Sequence, residues 1–146
     1  MKAIFAAAAL LLAAACSDAG GPAGPAGAIR VRTDASGYRL PGNGSQVVRF
    51  TVRNTGSEPI VVGSCGGATV AGILDRREAG EWVEEYSCAY LPIYALPHVL
   101  APGEVIDGET SVLATGRYRI RVPVSVGQEE GAESLDALSP DFIVVH

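Results

Sequence analysis

Few side chains in this sequence have the chemistry of a nucleophile, a base or a metal ligand. They are Cys16, Cys65, Cys88, His98 and His146, with acidic clusters at Asp107-Gly108-Glu109 and Glu129-Glu130. Cys65 lies in Gly63-Ser64-Cys65-Gly66-Gly67, a glycine turn that could present a thiol. A nucleophilic thiol needs a general base within hydrogen-bonding reach. His98 falls in a proline-rich loop, His146 is the last residue, and nothing in the sequence orients either one. Ser64 lacks the Gly-x-Ser-x-Gly elbow of the hydrolases. Cys65, Cys88, His98 and His146 match zinc by element count, but their spacing fits no finger, ribbon or catalytic pattern. The acidic clusters lack the Asp-x-Asp-x-Asp-Gly loop that gathers calcium ligands. No catalytic centre, metal or cofactor is expected, and the protein is not expected to be an enzyme.

The first residues say more. Behind Lys2, Ile4 to Ala15 is apolar and uncharged. It has the length of a secretory signal core and falls short of the roughly 20 residues a spanning helix needs. Residues 1–15 are therefore expected to be a signal peptide. Ala13-x-Ala15 would satisfy an ordinary signal peptidase and leave Cys16 free. Leu12-Ala13-Ala14-Ala15-Cys16 also resembles the lipobox of bacterial lipoproteins, with Ala13 where that family prefers leucine. The resemblance implies a diacylglyceryl group on the Cys16 thiol, cleavage before it, and acylation of the new amine. Two or more chains anchor stably where one does not. Residues 16–28 continue as a Gly/Pro/Ala tether with nothing to anchor a core. Its collagen-like GPAGPAG is far too short for a triple helix. A cysteine heading such a tether has no packing role, which favours lipidation. Ser17 stands where lipoproteins of the enterobacterial inner membrane usually carry Asp, so the outer membrane is expected. If Cys16 is lipidated, the odd count of three cysteines resolves, leaving Cys65 to pair with Cys88. The oxidising compartment supports that disulfide, and its loop makes it worth roughly 3 kcal/mol in the chain-entropy model.

Past the signal the chain carries ten arginines, no lysine and sixteen carboxylates, a net charge of −6. Such a domain is not expected to bind nucleic acid, where a basic surface dominates affinity. The expected partners are a membrane, through the anchor, and an envelope protein or glycan.

Residues 29–146 carry the period of strands. Val48, Phe50 and Val52 alternate with Arg49, Thr51 and Arg53, and Tyr118, Ile120, Val122 and Val124 with Arg117, Arg119, Arg121 and Pro123. Pro123 has no amide hydrogen for a ladder, so an edge or bulge is expected there. A hairpin is expected from 69–75 to 81–86, with a charged turn at 76–80. An opening strand kinked at Ser36-Gly37, a strand at 59–63, a Pro-Gly turn in 100–112 and a closing strand at 141–145 complete the set. Residues 127–138, acidic and glycine-broken, are expected to be a loop. Seven or eight such strands describe an all-β, two-sheet antiparallel sandwich of the immunoglobulin-like class.

Four motifs in order, FTVRNTGSEPIVV, GILDRREAGEWV, LAPGE and GRYRIRVPV, are similar to the immunoglobulin-like domains of the bacterial intracellular-proteinase-inhibitor group. That resemblance, over most of residues 46–145, implies the sandwich and, by the family name, protease inhibition. Export and the cysteines Cys65 and Cys88 depart from the family pattern, so the resemblance bears on fold rather than activity.

Two surfaces could bind. If the strands of Arg49, Arg53, Arg117, Arg119 and Arg121 share a sheet, those side chains form a basic face for an acidic partner, anionic polysaccharide or lipid headgroups. The reading favoured here is instead a solvated face paired with Glu58, Glu84 or Glu85. The stretch 82–100 holds Trp82, Tyr86, Tyr90 and Tyr94 between prolines. Trp82 and Tyr86 are expected in the core, and Tyr90 and Tyr94 form the candidate binding loop. The expected function is a lipid-anchored, non-catalytic binding or structural module of the cell envelope. The alternatives are a protease inhibitor and, behind it, an envelope enzyme using Cys65 or His98.

Overall fold

The computed structural model describes residues 28–42, 44–64, 69–86, 97–126 and 133–146. Cys16, Cys65, Cys88, Tyr90 and Tyr94 lie outside the described residues, as do Glu129 and Glu130. The strands are β1 (Ile29–Thr33), β2 (Gly37–Arg39), β3 (Gln46–Asn54), β4 (Ile60–Val62), β5 (Ile73–Glu78), β6 (Glu81–Tyr86), β7 (His98–Leu100), β8 (Val105–Val112), β9 (Gly116–Val126), β10 (Glu133–Leu138) and β11 (Phe142–Val145). One sheet is β1-β3-β8; the other runs β2-β11-β9-β4-β7, with β5 and β10 also on β9 and β6 on β5.

This is a two-sheet β-sandwich. Setting β1, β3 and β8 against β4, β9 and β11 reproduces the A-B-E and C-F-G strands of the immunoglobulin fold. The eleven segments exceed the expected seven or eight because three strands are each split. The opening strand changes sheet at Ser36, so that β2 joins β11 in parallel, an exception to the antiparallel pattern. β4 and β5 lie on one edge of β9, opposite Val124–Val126 and Tyr118–Arg121. β10 and β11 lie on its other edge, opposite Arg121–Val126 and Gly116–Tyr118. Residues 133–138, expected as loop, are thus a strand, since Leu135 and Ala137 alternate with exposed Ser134, Asp136 and Leu138 and the segment finds a partner in β9.

Alternation decides what enters the core. Val48, Phe50 and Val52 of β3 and Tyr118, Ile120, Val122 and Val124 of β9 are all at most 1% exposed, as predicted. Pro123 lies in a central strand, opposite the gap between β5 and β4, where no second partner needs its missing amide. At Ser139-Pro140 the edge is mended by a side chain. The Ile120 amide donates to Ser139 Oγ at 2.9 Å, and the Ser139 amide donates to the Ile120 carbonyl at 2.8 Å. The hairpin turn is tighter than expected: Arg76, Arg77 and Glu78 belong to β5, and only Ala79 and Gly80 turn, both with positive φ, as a two-residue hairpin requires.

Two local devices hold the layers. Phe50 pairs directly with Gly108 of β8, and its ring lies across that backbone; a Cβ on Gly108 would come within 2.3 Å of the ring, and one on Gly72 within 2.7 Å. The glycines are there because the ring occupies the space a side chain would need. At the other end Tyr118 stacks on Phe142 at 5.8 Å, and Tyr38 meets Phe142 edge-on at 5.4 Å, joining β9, β11 and β2. The Tyr118 hydroxyl donates to the Ala114 carbonyl at 2.9 Å, and the Tyr38 hydroxyl donates to Asp34. Burial, then the hydrogen bond to Asp34, pushes the Tyr38 phenol up to about 12; burial, then the Glu85 carboxylate, does the same for Tyr118.

Two outcomes follow. Gly108→Ala is expected to lower unfolding stability by about 2 kcal/mol through overpacking against Phe50, read from urea denaturation. Gly42→Ala, with nothing within 4 Å of its added Cβ, should change it by less than about 0.5 kcal/mol. The tyrosines make stability depend on alkaline pH. Below the ordinary pKa of about 10 both states keep the proton. Between about 10 and about 12 the unfolded chain loses protons that the fold retains, so stability declines as pH rises through that window. Tyrosinate absorbance should show Tyr38 and Tyr118 titrating late, with the melting temperature falling over the same range.

Candidate functional site: two outer faces

The five arginines of the candidate basic face do not share a sheet. Arg49 and Arg53 are on β3 in the smaller sheet, and Arg117, Arg119 and Arg121 are on β9 in the larger. Their outward directions are opposite, so the candidate single face resolves into two with different chemistry.

On the larger sheet, alternation turns Arg117, Arg119 and Arg121 out, and the register of β5 sets Asp75 beside them. Asp75 is 3% exposed, the only buried carboxylate among the described residues. It accepts from Arg119 Nε at 3.0 Å and from Arg121 Nη2 at 3.1 Å. Arg121 also reaches Glu84 at 2.8 Å and Asp136 at 3.5 Å. Its hydrogen bonds to Asp75 raise its pKa above the ordinary guanidinium value, against the opposing effect of burial. At the rim Arg117 pairs with Asp141 at 2.9 Å. The paired-face reading therefore describes this half. Glu84 is one of its expected partners, whereas Asp75, Asp136 and Asp141 replace Glu58 and Glu85.

Trp82 belongs to this outer face and not to the core. The Arg119 guanidinium lies 4.5 Å from its ring centroid and that of Arg77 5.1 Å, a cation–π arrangement. The tryptophan leaves the core because it pairs with Arg77, two residues along β5 from Asp75 and therefore on the same outward side as Arg119. The ion pairs of this face hold β5, β6, β9 and β10 together.

The smaller sheet is different. Its outer rows run Arg30–Arg53–Val105, Arg32–Thr51–Asp107 and Arg49–Glu109 across β1, β3 and β8. Arg30, Arg32, Arg49 and Arg53 are exposed, and among the described residues their side chains make no hydrogen bond or ion pair. Arg30, Arg32, Thr51, Arg53 and Val105 line a shallow groove of about 410 Å³ that contains no carboxylate. A neighbouring groove of about 780 Å³ adds Arg49, Asp34, Asp107 and Glu109. Arg30 and Arg32 were not among the expected site residues, although Ile29-Arg-Val-Arg-Thr33 carries the same alternation.

The remaining candidates stand apart. His98 is in β7 at one edge of the larger sheet, with its Nε2 buried and unpartnered, and His146 follows β11 near the other edge. They do not converge with one another. Asp107 and Glu109 lie on the outer side of β8 among the arginines. Cys16, Cys65, Cys88, Tyr90 and Tyr94 lie outside the described residues.

No family model and no curated protein matches this chain. Among solved structures it is similar to the ASH / PapD-like domain of human CEP192 (PapD-like domain 7), at 12% identity over 97% of each chain and with a TM-score of 0.39.

The two faces predict opposite sensitivities. Asp75→Asn leaves two guanidiniums facing a neutral amide and is expected to cost about 3 kcal/mol, the low end for a broken buried pair because both arginines keep some solvent contact. Asp141→Asn at the exposed rim should cost less than about 1 kcal/mol. Paired denaturation curves measure both.

Proposed function

We propose that this chain is an exported bacterial lipoprotein whose sandwich is a non-catalytic binding module of the cell envelope, held to a membrane by acyl chains on Cys16. The observation that carries the reading is Cys16 itself, set between an uncharged apolar run and a Gly/Pro/Ala stretch. The first strand starts at Ile29, directly after that stretch. A binding role is supported by the smaller sheet, which turns four unpaired arginines outward on a chain whose overall charge is negative. Ser17 favours the outer membrane as the site of attachment, and the Cys65–Cys88 disulfide belongs to the same reading.

The test is the intact mass of protein extracted from membranes. The expected mass is that of residues 16–146 plus a diacylglyceryl group and an acyl chain, with two thiols becoming alkylatable only after reduction. Cys16→Ala should abolish both the added mass and membrane retention. A product that begins at Cys16 with no added mass overturns the anchor, and thiols that alkylate without reduction overturn the disulfide.

A further inference from the structure

We propose that the Arg30–Arg32–Arg53 end of the smaller sheet docks on the anionic headgroups of the bilayer in which the chain is anchored. The inference rests on the anchoring reading above and deepens it by assigning a surface and an orientation.

Three observations converge on this end of the sheet. First, the arginines are free. Arg30 and Arg53 face each other across β1 and β3, Arg32 follows one row along, and none has a carboxylate partner among the described residues. Unpaired guanidiniums are planar, permanently charged donors suited to phosphate oxygens. The groove they line with Thr51 and Val105 has no acidic wall.

Second, charge is graded along the face. The row nearest the start of β1 is Arg30–Arg53–Val105; Asp107 and Glu109 appear only in later rows, farther from Ala28. Two carboxylates belong to loops at the near end. Glu104 accepts the Ala101 amide at 2.8 Å within its own turn, and Glu58 lines a separate groove with Ala28 and Asn54. An acidic protein beside an anionic surface is repelled except through such a row, so the row sets the orientation.

Third, the covalent path leads here. Arg30 is the second residue after Ala28, and Cys16 and Ile29 are thirteen residue steps apart. Fully extended, they reach about 45 Å, and a glycine-rich chain of that length averages about 20 Å. The connection therefore keeps the arginine row within about 45 Å of the headgroups, so that it meets the screened layer, about 8 Å deep at physiological salt, without first diffusing to the surface. Three arginines alone would bind a vesicle weakly from solution, at roughly fivefold per residue. Tethering makes the contact intramolecular and allows so small a patch to act. Docking turns the outer face of the larger sheet, with Trp82 and its arginines, toward the aqueous side.

The experiment uses the full lipidated protein on vesicles of phosphatidylcholine alone, or with about one quarter phosphatidylglycerol. Phenylglyoxal modifies exposed arginines, and mass spectrometry maps the rate at each site. Labelling of Arg30, Arg32 and Arg53 should slow at least fivefold on the anionic vesicles only, and recover at about 1 M salt, where screening falls to about 3 Å. Arg39 and Arg77, exposed on the larger sheet, should label alike on both. Equal rates on the two vesicles, or slowing that includes Arg39 and Arg77, overturns the docking. Protection by millimolar inorganic phosphate without anionic lipid also overturns it and assigns the groove to a free anion. A protein washed off neutral vesicles overturns the anchor and the docking together, whereas retention with uniform labelling overturns the docking alone.

Discussion

Strand β9 is the constraint on which the rest of the molecule depends. Both of its edges are occupied, by β5 and β4 on one side and by β11 and β10 on the other. Its inward residues fill the sandwich while its outward arginines collect carboxylates from β5, β6, β10 and the turn before β11. A slip of one residue would drive Arg119 and Arg121 into the core and Ile120 into water, so its register is fixed from both faces at once. The breaks in its partners fall where β9 can tolerate them. Pro123 sits opposite one gap, and Ser139 supplies hydroxyl and amide groups at the other.

The same residue type therefore does opposite work on the two outer faces. Arg119 and Arg121 are consumed by a buried aspartate, and their energetic role lies in holding β5 against β9. Arg30 and Arg53 face each other, with Val105 as the next residue in the row, so nothing in the sheet neutralises them. What separates a structural arginine from an available one here is the identity of its cross-strand neighbour. Overall charge misses the distinction, because the net negative chain hides a locally basic row.

That also explains what could be read from the sequence. The period-two pattern of β3 and β9 is local, so the buried and exposed residues of both strands, and hence the sandwich class, were legible. Sheet membership is not local. Whether Arg53 and Arg117 share a face depends on pairings between segments tens of residues apart, which alternation within one strand does not encode. Asp75 follows an apolar segment with nothing local to single it out, and only the register with Arg119 makes it the centre of a network. Trp82 was misplaced because hydrophobic size suggests a core residue, whereas its pairing with Arg77 sets it on the outward side of β5 and β6. Residues 133–138 looked like a loop because acidic composition obscured the alternation of Leu135 and Ala137. The cysteines and Tyr90–Tyr94 lie outside the described residues, so that part of the sequence reading stands as proposal.

The way the first strand is fastened bears on the anchored reading. The Ala28 carbonyl accepts the Thr55 amide at 2.7 Å, just beyond the pairing of Ile29 with Asn54. Asn54 is fully buried, and its side chain binds three ways: it donates to the Glu58 carbonyl at 2.7 Å and the Leu100 carbonyl at 3.0 Å, and accepts the Gly56 amide at 3.0 Å. Its backbone amide and carbonyl meet Glu104 and Gly103 of the turn before β8. The entry point of the chain is thereby tied to the turn after β3, to the end of β7 and to the start of β8. A pull on residue 28 along the axis of β1 loads its pairs with β3 in shear, with Asn54 distributing the load to both sheets. An edge strand attached only by its own ladder would be the weak point of a tethered domain. Here the asparagine that ends β3 makes the attachment a junction of four segments, and it lies beside the free arginine row.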